Sequence, residues 1–299
     1  MEKATPAHSG HKPRGRRRLG RPPLLIVGCG DVGGRIVARL AARFRIVALT
    51  SSPQRVPLLR AAGATPIVGD LDRRSSLARL AGFRGRVIHL APPPENDGRR
   101  DPRTRALLAA LRGRPARLVY VSTTGVYGDR AGGRVDETAP AAPANDRGWR
   151  RLDAEQAVRA ARGSVVRAPG IYAHDRLPLA RLRSGAPALA PQDDVFSNHI
   201  HAEDLARICI AALFRGGRGR LYNAVDRSQL KMGEYFDLVA DRCGLPRPPR
   251  LPRAQLRAAV SPMMYSFMSE SRRIIGERVG SELRLRLAWP TVADTLASL

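Results

Sequence analysis

Three glycines, Gly28, Gly30 and Gly33, stand at the spacing G-x-G-x-x-G in Gly28-Cys29-Gly30-Asp31-Val32-Gly33. A short apolar run, Leu24-Leu25-Ile26-Val27, precedes them, and Val32, Ile36, Val37 and Leu40 follow at helical spacing. Strand, glycine turn and helix in that order make a cradle for a pyrophosphate. Gly28 permits the tight turn, Gly30 lets phosphates approach the backbone, and Gly33 lets helix and strand pack closely. Unpaired N–H groups at the positive end of the helix then face the anion. The chain holds 28 glycines, so the pattern gains its meaning from the strand and helix around it. Gly28, Gly30, Asp31, Val32 and Gly33 are therefore expected to bind a dinucleotide; a tight turn that binds nothing is the competing reading.

The second strand, Ile46-Val47-Ala48-Leu49, runs into Thr50-Ser51-Ser52, with Arg55 close behind. A carboxylate in this place would hold the adenine ribose 2′-hydroxyl of NAD. Hydroxyls and a guanidinium suit a 2′-phosphate instead. Thr50, Ser51 and Arg55 thus favour NADP, with NAD the alternative, since Arg55 is one arginine among many.

Positioning these residues takes a parallel sheet. Strand patterns at 66–70, 87–91, 118–122 and 164–167 alternate with helical patterns at 56–62, 77–80, 104–111 and 153–162. That alternation predicts an α/β fold, a doubly wound parallel Rossmann sheet with a smaller C-terminal substrate lobe. Ligands of such sheets bind beyond the carboxyl ends of the strands. Asp70, Leu71, Leu90, Ala91, Pro92, Ser122 and Pro169 fall there and join the expected cofactor contacts. Three regions follow: a disordered basic tail (1–23), an NAD(P)-binding domain (24–168) and a substrate-binding lobe (169–299) that partly returns to the sheet. Helices are expected in the lobe near 203–214, 233–243 and 254–276, and Asp193-Asp194 reads as a solvated turn.

Composition narrows the partners. The net charge of +26 comes almost wholly from arginine, because only Lys3, Lys12 and Lys231 are lysines. Arginines spread along the whole length without interleaved aromatics do not make a nucleic-acid stripe. Only Arg14, Arg16, Arg17, Arg18 and Arg21 cluster, so no specific nucleic acid is expected. Cys29, Cys209 and Cys243 show no disulfide or zinc spacing, which points to a reducing, cytoplasmic setting and no metal. No run approaches the ~18 apolar residues of a membrane span, and no membrane is expected as a partner. The tail lacks the apolar region of a signal peptide, and a transit peptide is its lesser reading.

The run Tyr120-Val121-Ser122-Thr123-Thr124-Gly125-Val126-Tyr127-Gly128-Asp129 resembles the strand-five motif of extended short-chain dehydrogenases/reductases, the NAD-dependent epimerase/dehydratase family. Gly69-Asp70-Leu71, Asp136-Glu137, Leu152-Asp153-Ala154-Glu155, Val166 to Tyr172, Asn198 to Ala206, Ser269 to Arg273 and Trp289-Pro290-Thr291 continue the likeness over about 24–297. The resemblance implies an NAD(P)-dependent oxidoreductase or epimerase/dehydratase-like enzyme with a small-molecule substrate. It also implies a homodimer through helices near 101–112 and 147–162.

That family interconverts hydroxyl and ketone with a tyrosine as acid/base and a lysine four residues later. Counted back from Leu152-Asp153-Ala154-Glu155, those positions hold Arg147 and Arg151. Arginine stays protonated and cannot exchange the proton, although Arg151 can hold ribose or phosphate. Thr123 matches the family residue that positions the substrate oxygen. His201 is a candidate stand-in acid/base, and Tyr127, Tyr172 and His199 are expected beside the substrate. The loss of the Tyr-x-x-x-Lys pair keeps a second reading open, a catalytically silent NADP-binding redox sensor or regulatory protein.

Overall fold

The computed structural model describes residues 20–95, 98–112 and 115–299. Residues 1–19 of the expected tail, with Arg14, Arg16, Arg17 and Arg18, lie outside the described residues. Arg21, the last of that cluster, donates to the Ala41 carbonyl at 2.8 Å.

Seven strands form one parallel sheet: β1 (Pro23–Val27), β2 (Arg45–Thr50), β3 (Thr65–Val68), β4 (Arg86–His89), β5 (Arg117–Thr123), β6 (Ser164–Ala168) and β7 (Leu221–Asn223). Their order is β7-β6-β5-β4-β1-β2-β3. The chain winds outward from β1 one way, then returns to β4 and winds the other way. This leaves a crevice between β1 and β4 at the carboxyl edge, where Val27 pairs beside His89. Alternation along each strand supplies both covered faces. Leu24 and Ile26, with Ile46, Ile88, Val119 and Val166, pack into one core. Leu25 and Val27, with Val47, Val87, Leu118 and Val165, pack into the other.

On the first face lie α1 (Asp31–Leu40), α2 (Val56–Ala61) and, from far along the chain, α6 (Ala202–Arg215). On the second lie a 3-10 segment, Arg74–Leu80, then α3 (Pro102–Ala110) and α4 (Asp146–Ala160). Local signals start these helices. Asp101 accepts from the Arg103 and Thr104 N–H groups, with Pro102 in the first turn of α3. Asn145 accepts from Gly148 N–H, so α4 begins at Asp146 and not near 153 as its apolar pattern suggested.

The rest of the chain makes α5 (Leu179–Arg183), α7 (Met232–Arg242), α8 (Arg253–Ala259), α9 (Pro262–Met268), α10 (Glu277–Ser281) and α11 (Val292–Ala297). Leu182, Phe236, Val239, Leu256, Met268, Val292 and Leu296 form a separate core there. The single helix expected over 254–276 is two helices and a short strand, Arg273–Ile274. Pro262 forces Ser261 into extended backbone and so ends one helix where it starts the next. Asp193-Asp194 is no solvated turn either. Asp194 is almost fully buried, accepts from Gly233 N–H at 3.0 Å and pairs with Arg250, while Asp193 accepts from Arg253 N–H.

Beneath the carboxyl edge a buried ion pair joins α4 to β6. Arg167 donates through Nε and Nη2 to Glu155 at 3.0 and 2.6 Å, and neither side chain is more than 4% exposed. Removing one partner strands a buried charge, which typically costs about 3–5 kcal/mol, whereas an apolar pair of similar volume is often tolerated. We expect Glu155→Ala to lose stability on that scale in urea unfolding and Glu155→Leu with Arg167→Met to recover most of it. A single variant within about 1 kcal/mol of the native chain would refute this role.

Candidate active site

The carboxyl ends of all seven strands share one edge, and the glycine turn occupies its middle. Gly28 has φ +79°, and a Cβ there would come within 2.5 Å of Ala91 N. The turn is thus pressed against the residues that follow β4, whose Leu90 N–H donates to Val27 O at 2.8 Å. A Cβ on Gly33 would meet Cys29 Sγ at 3.1 Å and Leu90 Cδ1 at 3.3 Å. Gly30 is different, since a Cβ there meets nothing within 4 Å. It opens onto free space at the start of α1, whose first turn has no side-chain cap. An open cradle beside uncapped N–H groups fits a dinucleotide pyrophosphate. Asp31 turns aside from it to pair with Arg35 (2.9 Å) and Arg176 (3.2 Å), while Val32 packs on the core.

At the end of β2, Thr50 Oγ1 accepts from Ser52 N–H at 3.2 Å, Ser51 is exposed, and no carboxylate follows. Arg55 is exposed and makes no ion pair among the described residues. It lies near enough to the glycine turn to oppose the rise that burial imposes on the Cys29 thiol pKa. After β3, Asp70 accepts from Asp72 N–H and Leu71 is buried. Pro92 O, after β4, accepts from Arg103. On β5 the buried Ser122 hydroxyl has no partner among the described residues. The turn, the vacant space above Gly30 and this orphaned hydroxyl all lie along one edge.

Beside that edge is a cavity of ~450 Å3, into which Thr123, Pro169 and Gly170 bring the ends of β5 and β6. Thr123, Arg147, Pro169, Tyr172 and His199 all lie in its wall, so the structure brings five of the expected residues together. Thr123 Oγ1 accepts from Gly125 N–H at 3.2 Å, which leaves its own proton free to be donated. The Arg147 guanidinium lies 4.1 Å from the centre of the Phe267 ring. Burial is the main influence on it and lowers its pKa, Glu270 opposes this, and Arg151, Arg150 and Arg272 add to it. The His199 ring lies 4.2 Å from that of Tyr235, and burial pushes its pKa down to about 4, so it is neutral near pH 7.

Three expected residues lie elsewhere. Arg151, at the lysine position, donates through Nη1 to Tyr120 OH (3.1 Å) and Val121 O (3.0 Å), which ties α4 to β5. Tyr127 is fully buried and donates to Asn223 Oδ1 at 2.9 Å, outside the cavity wall. His201 is the N-cap of α6, its Nδ1 accepting from Glu203 N–H at 3.2 Å. The sequence reading missed Arg181, Tyr235, Phe236, Phe267 and Arg272, which also line the cavity. All but Arg272, which falls in the Ser269 to Arg273 stretch, come from segments without a motif, and arginines could not stand out in this chain.

A family model described as NAD(P)H-binding matches residues 28–215, and the chain belongs to that family. Its cofactor is NAD(P), and its fold is that of the NAD-dependent epimerase/dehydratase proteins. A conserved protein of unknown function from Silicibacter pomeroyi is 30% identical over 93% of this chain and 97% of its own, with a TM-score of 0.78. The human epimerase family protein SDR39U1, solved with NADPH, is 19% identical over 92% and 98%, with a TM-score of 0.71. The dTDP-glucose 4,6-dehydratase DesIV from Streptomyces venezuelae, solved with NAD, is 20% identical over 92% and 95%, with a TM-score of 0.73. Among the described residues no helix is long and apolar enough to cross a membrane, and no group of acidic, histidine or cysteine side chains could hold a metal.

Two glycine variants separate fold from binding. Gly28→Ala adds both a clash with Ala91 and a strained positive φ, and is expected to destabilise the chain by more than about 1 kcal/mol. Gly30→Ala adds a methyl in open space and should keep the melting temperature while abolishing the dinucleotide's stabilising shift; an unchanged shift would count against the cradle.

Stability should also depend on pH in two opposed ways. Burial holds His89 and His199 at pKa values of about 3 and 4, so between their usual 6.5 and those values only the unfolded chain takes up protons. Stability therefore falls as pH drops through that window. Burial raises Asp226 to about 7 from its usual 3.8, so there the folded chain holds the extra proton and stability falls as pH rises towards 7. The melting temperature of Asp226→Asn, relative to the native chain, should accordingly improve from pH 5 to pH 8. A difference independent of pH would contradict the assignment.

Proposed function

We propose that the chain is an NADP-dependent oxidoreductase of the extended short-chain type, acting on a small molecule held in the cleft between sheet and C-terminal lobe. The observation that carries this reading is the cleft itself. A cavity of ~450 Å3 with an aromatic wall has the size and lining of a small-molecule site, and it reaches the ends of β5 and β6 at the nucleotide-binding edge. Gly28, Gly30, Val32 and Gly33 would hold the pyrophosphate, Arg55 with Thr50 and Ser51 the 2′-phosphate, Asp70, Leu71, Leu90, Ala91 and Pro92 the adenosine side, and Ser122 and Pro169 the nicotinamide side. When bound, the dinucleotide donates or accepts a hydride at a carbonyl or alcohol carbon.

The chain's own residues orient the oxygen. Thr123 donates its free hydroxyl hydrogen to the substrate oxygen. Arg147 stays charged and orients; it does not exchange the proton. His199, held neutral at pH 7 by burial, is too weak a base to keep that proton and serves as an uncharged polar group in the wall beside the substrate. Without the tyrosine–lysine pair, turnover should be slower by a factor on the order of 10²–10⁴. The reading extends to a homodimer through α3 and α4, as the family resemblance implies.

A second reading, the NADP-binding redox sensor without turnover, draws support from Arg151, whose guanidinium is bonded to Tyr120 and Val121 in place of a mobile lysine.

Calorimetry at about 0.3 M salt, where screening suppresses nonspecific phosphate affinity, tests the cofactor. NADPH should bind at least about tenfold more tightly than NADH, and Arg55→Ala should remove that difference while sparing NADH. Hydride transfer to a panel of ketones and aldehydes, followed as loss of NADPH absorbance, then separates the readings. Turnover that falls roughly tenfold or more in Thr123→Ala supports the enzyme. NADPH binding without any turnover supports the sensor, and no selective binding rejects both.

A further inference from the structure

The cavity holds more cation than its own acids can neutralise. Arg272 is spent on Gly128 O (2.7 Å) and on Glu270 (2.6 Å), which uses the carboxylate of the cavity wall. Arg147 itself makes no hydrogen bond or ion pair among the described residues, and its flat face rests on Phe267. Arg181 enters the same cavity from α5, over the Phe236 ring at 4.9 Å. It donates through Nη2 to Pro187 O at 2.5 Å, and among the described residues it has no acidic partner and its buried Nε has no acceptor. A guanidinium taken partly out of water without a counter-ion is costly, and an oxyanion that accepts two N–H donors in parallel repays that cost. The walls beside both cations are aromatic or thioether: Phe236, Phe267, Tyr235 and Met264.

We infer that the substrate is a small organic acid, its carboxylate or phosphate head bound by Arg147 and Arg181 and its apolar body lying against Phe236, Phe267 and Met264. This rests on the reading of the cavity as the substrate site. Arg147 then accounts for its own position. It stands where the resemblance places a neutral, proton-exchanging tyrosine, and it supplies a fixed charge that recognises an anion. The site is a specificity device that selects charge first and an apolar body second. Neutral sugars and simple ketones leave both guanidiniums without a partner and are rejected on that account.

The test uses the full chain saturated with NADPH at about 0.3 M salt, so that only charges held at short range count. Phenylpyruvate, phenyl phosphate and the neutral ketone phenylacetone are each titrated by calorimetry up to about 10 mM, a concentration that detects millimolar affinity. One of the two anions should bind at least about tenfold more tightly than phenylacetone, and which of them does so tells carboxylate from phosphate. Arg147→Met and Arg181→Met should each weaken that anion by about tenfold or more, with Arg147→Lys retaining part of the affinity. NADPH affinity should stay within about twofold of the native chain in every variant, which also shows that the variants are folded. Phenylacetone binding as tightly as the better-bound anion, no binding by any of the three, or anion affinity untouched by both methionine variants would each overturn the inference. In all those cases intact NADPH binding leaves the dinucleotide reading standing, whereas a native chain that fails to bind NADPH defeats that reading itself.

Discussion

One buried polar cluster under the carboxyl edge holds the two halves of the chain in register. Arg167 on β6 meets Glu155 of α4 on one side and covers the Tyr127 ring at 4.4 Å on the other. Tyr127 donates to Asn223 on β7, and Asn223 in turn donates through its side chain to Ile275 O (2.9 Å) and through its backbone to Glu137 (3.2 Å). Six residues spread from Tyr127 to Ile275 converge there. The Tyr127, Glu137, Glu155, Arg167 and Asn223 side chains are buried, so each must keep its partner, and the network specifies one arrangement of strand ends. The cavity lies beside it, where the ends of β5 and β6 meet at Thr123 and Pro169.

The same constraint gives the tyrosine of the Val126-Tyr127-Gly128 motif its meaning. Its hydroxyl is committed to Asn223, and burial raises its pKa, with Arg167 only partly opposing this. Tyr127 therefore holds a wall in place. His201 commits its Nδ1 as the cap that starts α6 and so turns the chain from the lobe back to the sheet, while its buried Nε2 has no partner among the described residues. The groups that reach the cavity are others: Thr123, His199, Arg147 and the arginines contributed by the lobe. The paired positions of Arg147 and Arg151, alike in sequence, have parted. Arg151 braces β5 through Tyr120 and Val121, and Arg147 faces open volume with an aromatic ring behind it.

Strand patterns were legible because a parallel sheet buried on both faces demands runs of apolar residues, and the helices between them can only cross over one way. The glycine turn was legible because positive φ and close approach to Ala91 exclude side chains at Gly28. Even the break at Ser261-Pro262 follows from a local rule that the apolar periodicity over 254–276 had concealed. The buried state of Asp194 was not legible, because its partners Gly233 and Arg250 come from α7 and from the strand pairing beyond it.

Sequence by itself thus determined what depends on neighbours along the chain: the strand–glycine–helix cradle, the strand rhythm, the absence of a carboxylate after β2 and the arginines at the tyrosine and lysine positions. Tertiary structure alone decided which polar groups are already satisfied. Thr123, Tyr127, Arg147, Arg151, His199 and His201 are all competent side chains on paper, and only their partners separate the structural from the available. Hydrogen-bond and charge partners in this protein lie up to 164 residues apart, as Arg39 and Glu203 do, and 96 apart at Tyr127 and Asn223, and local pattern carries no record of a contact made at that range.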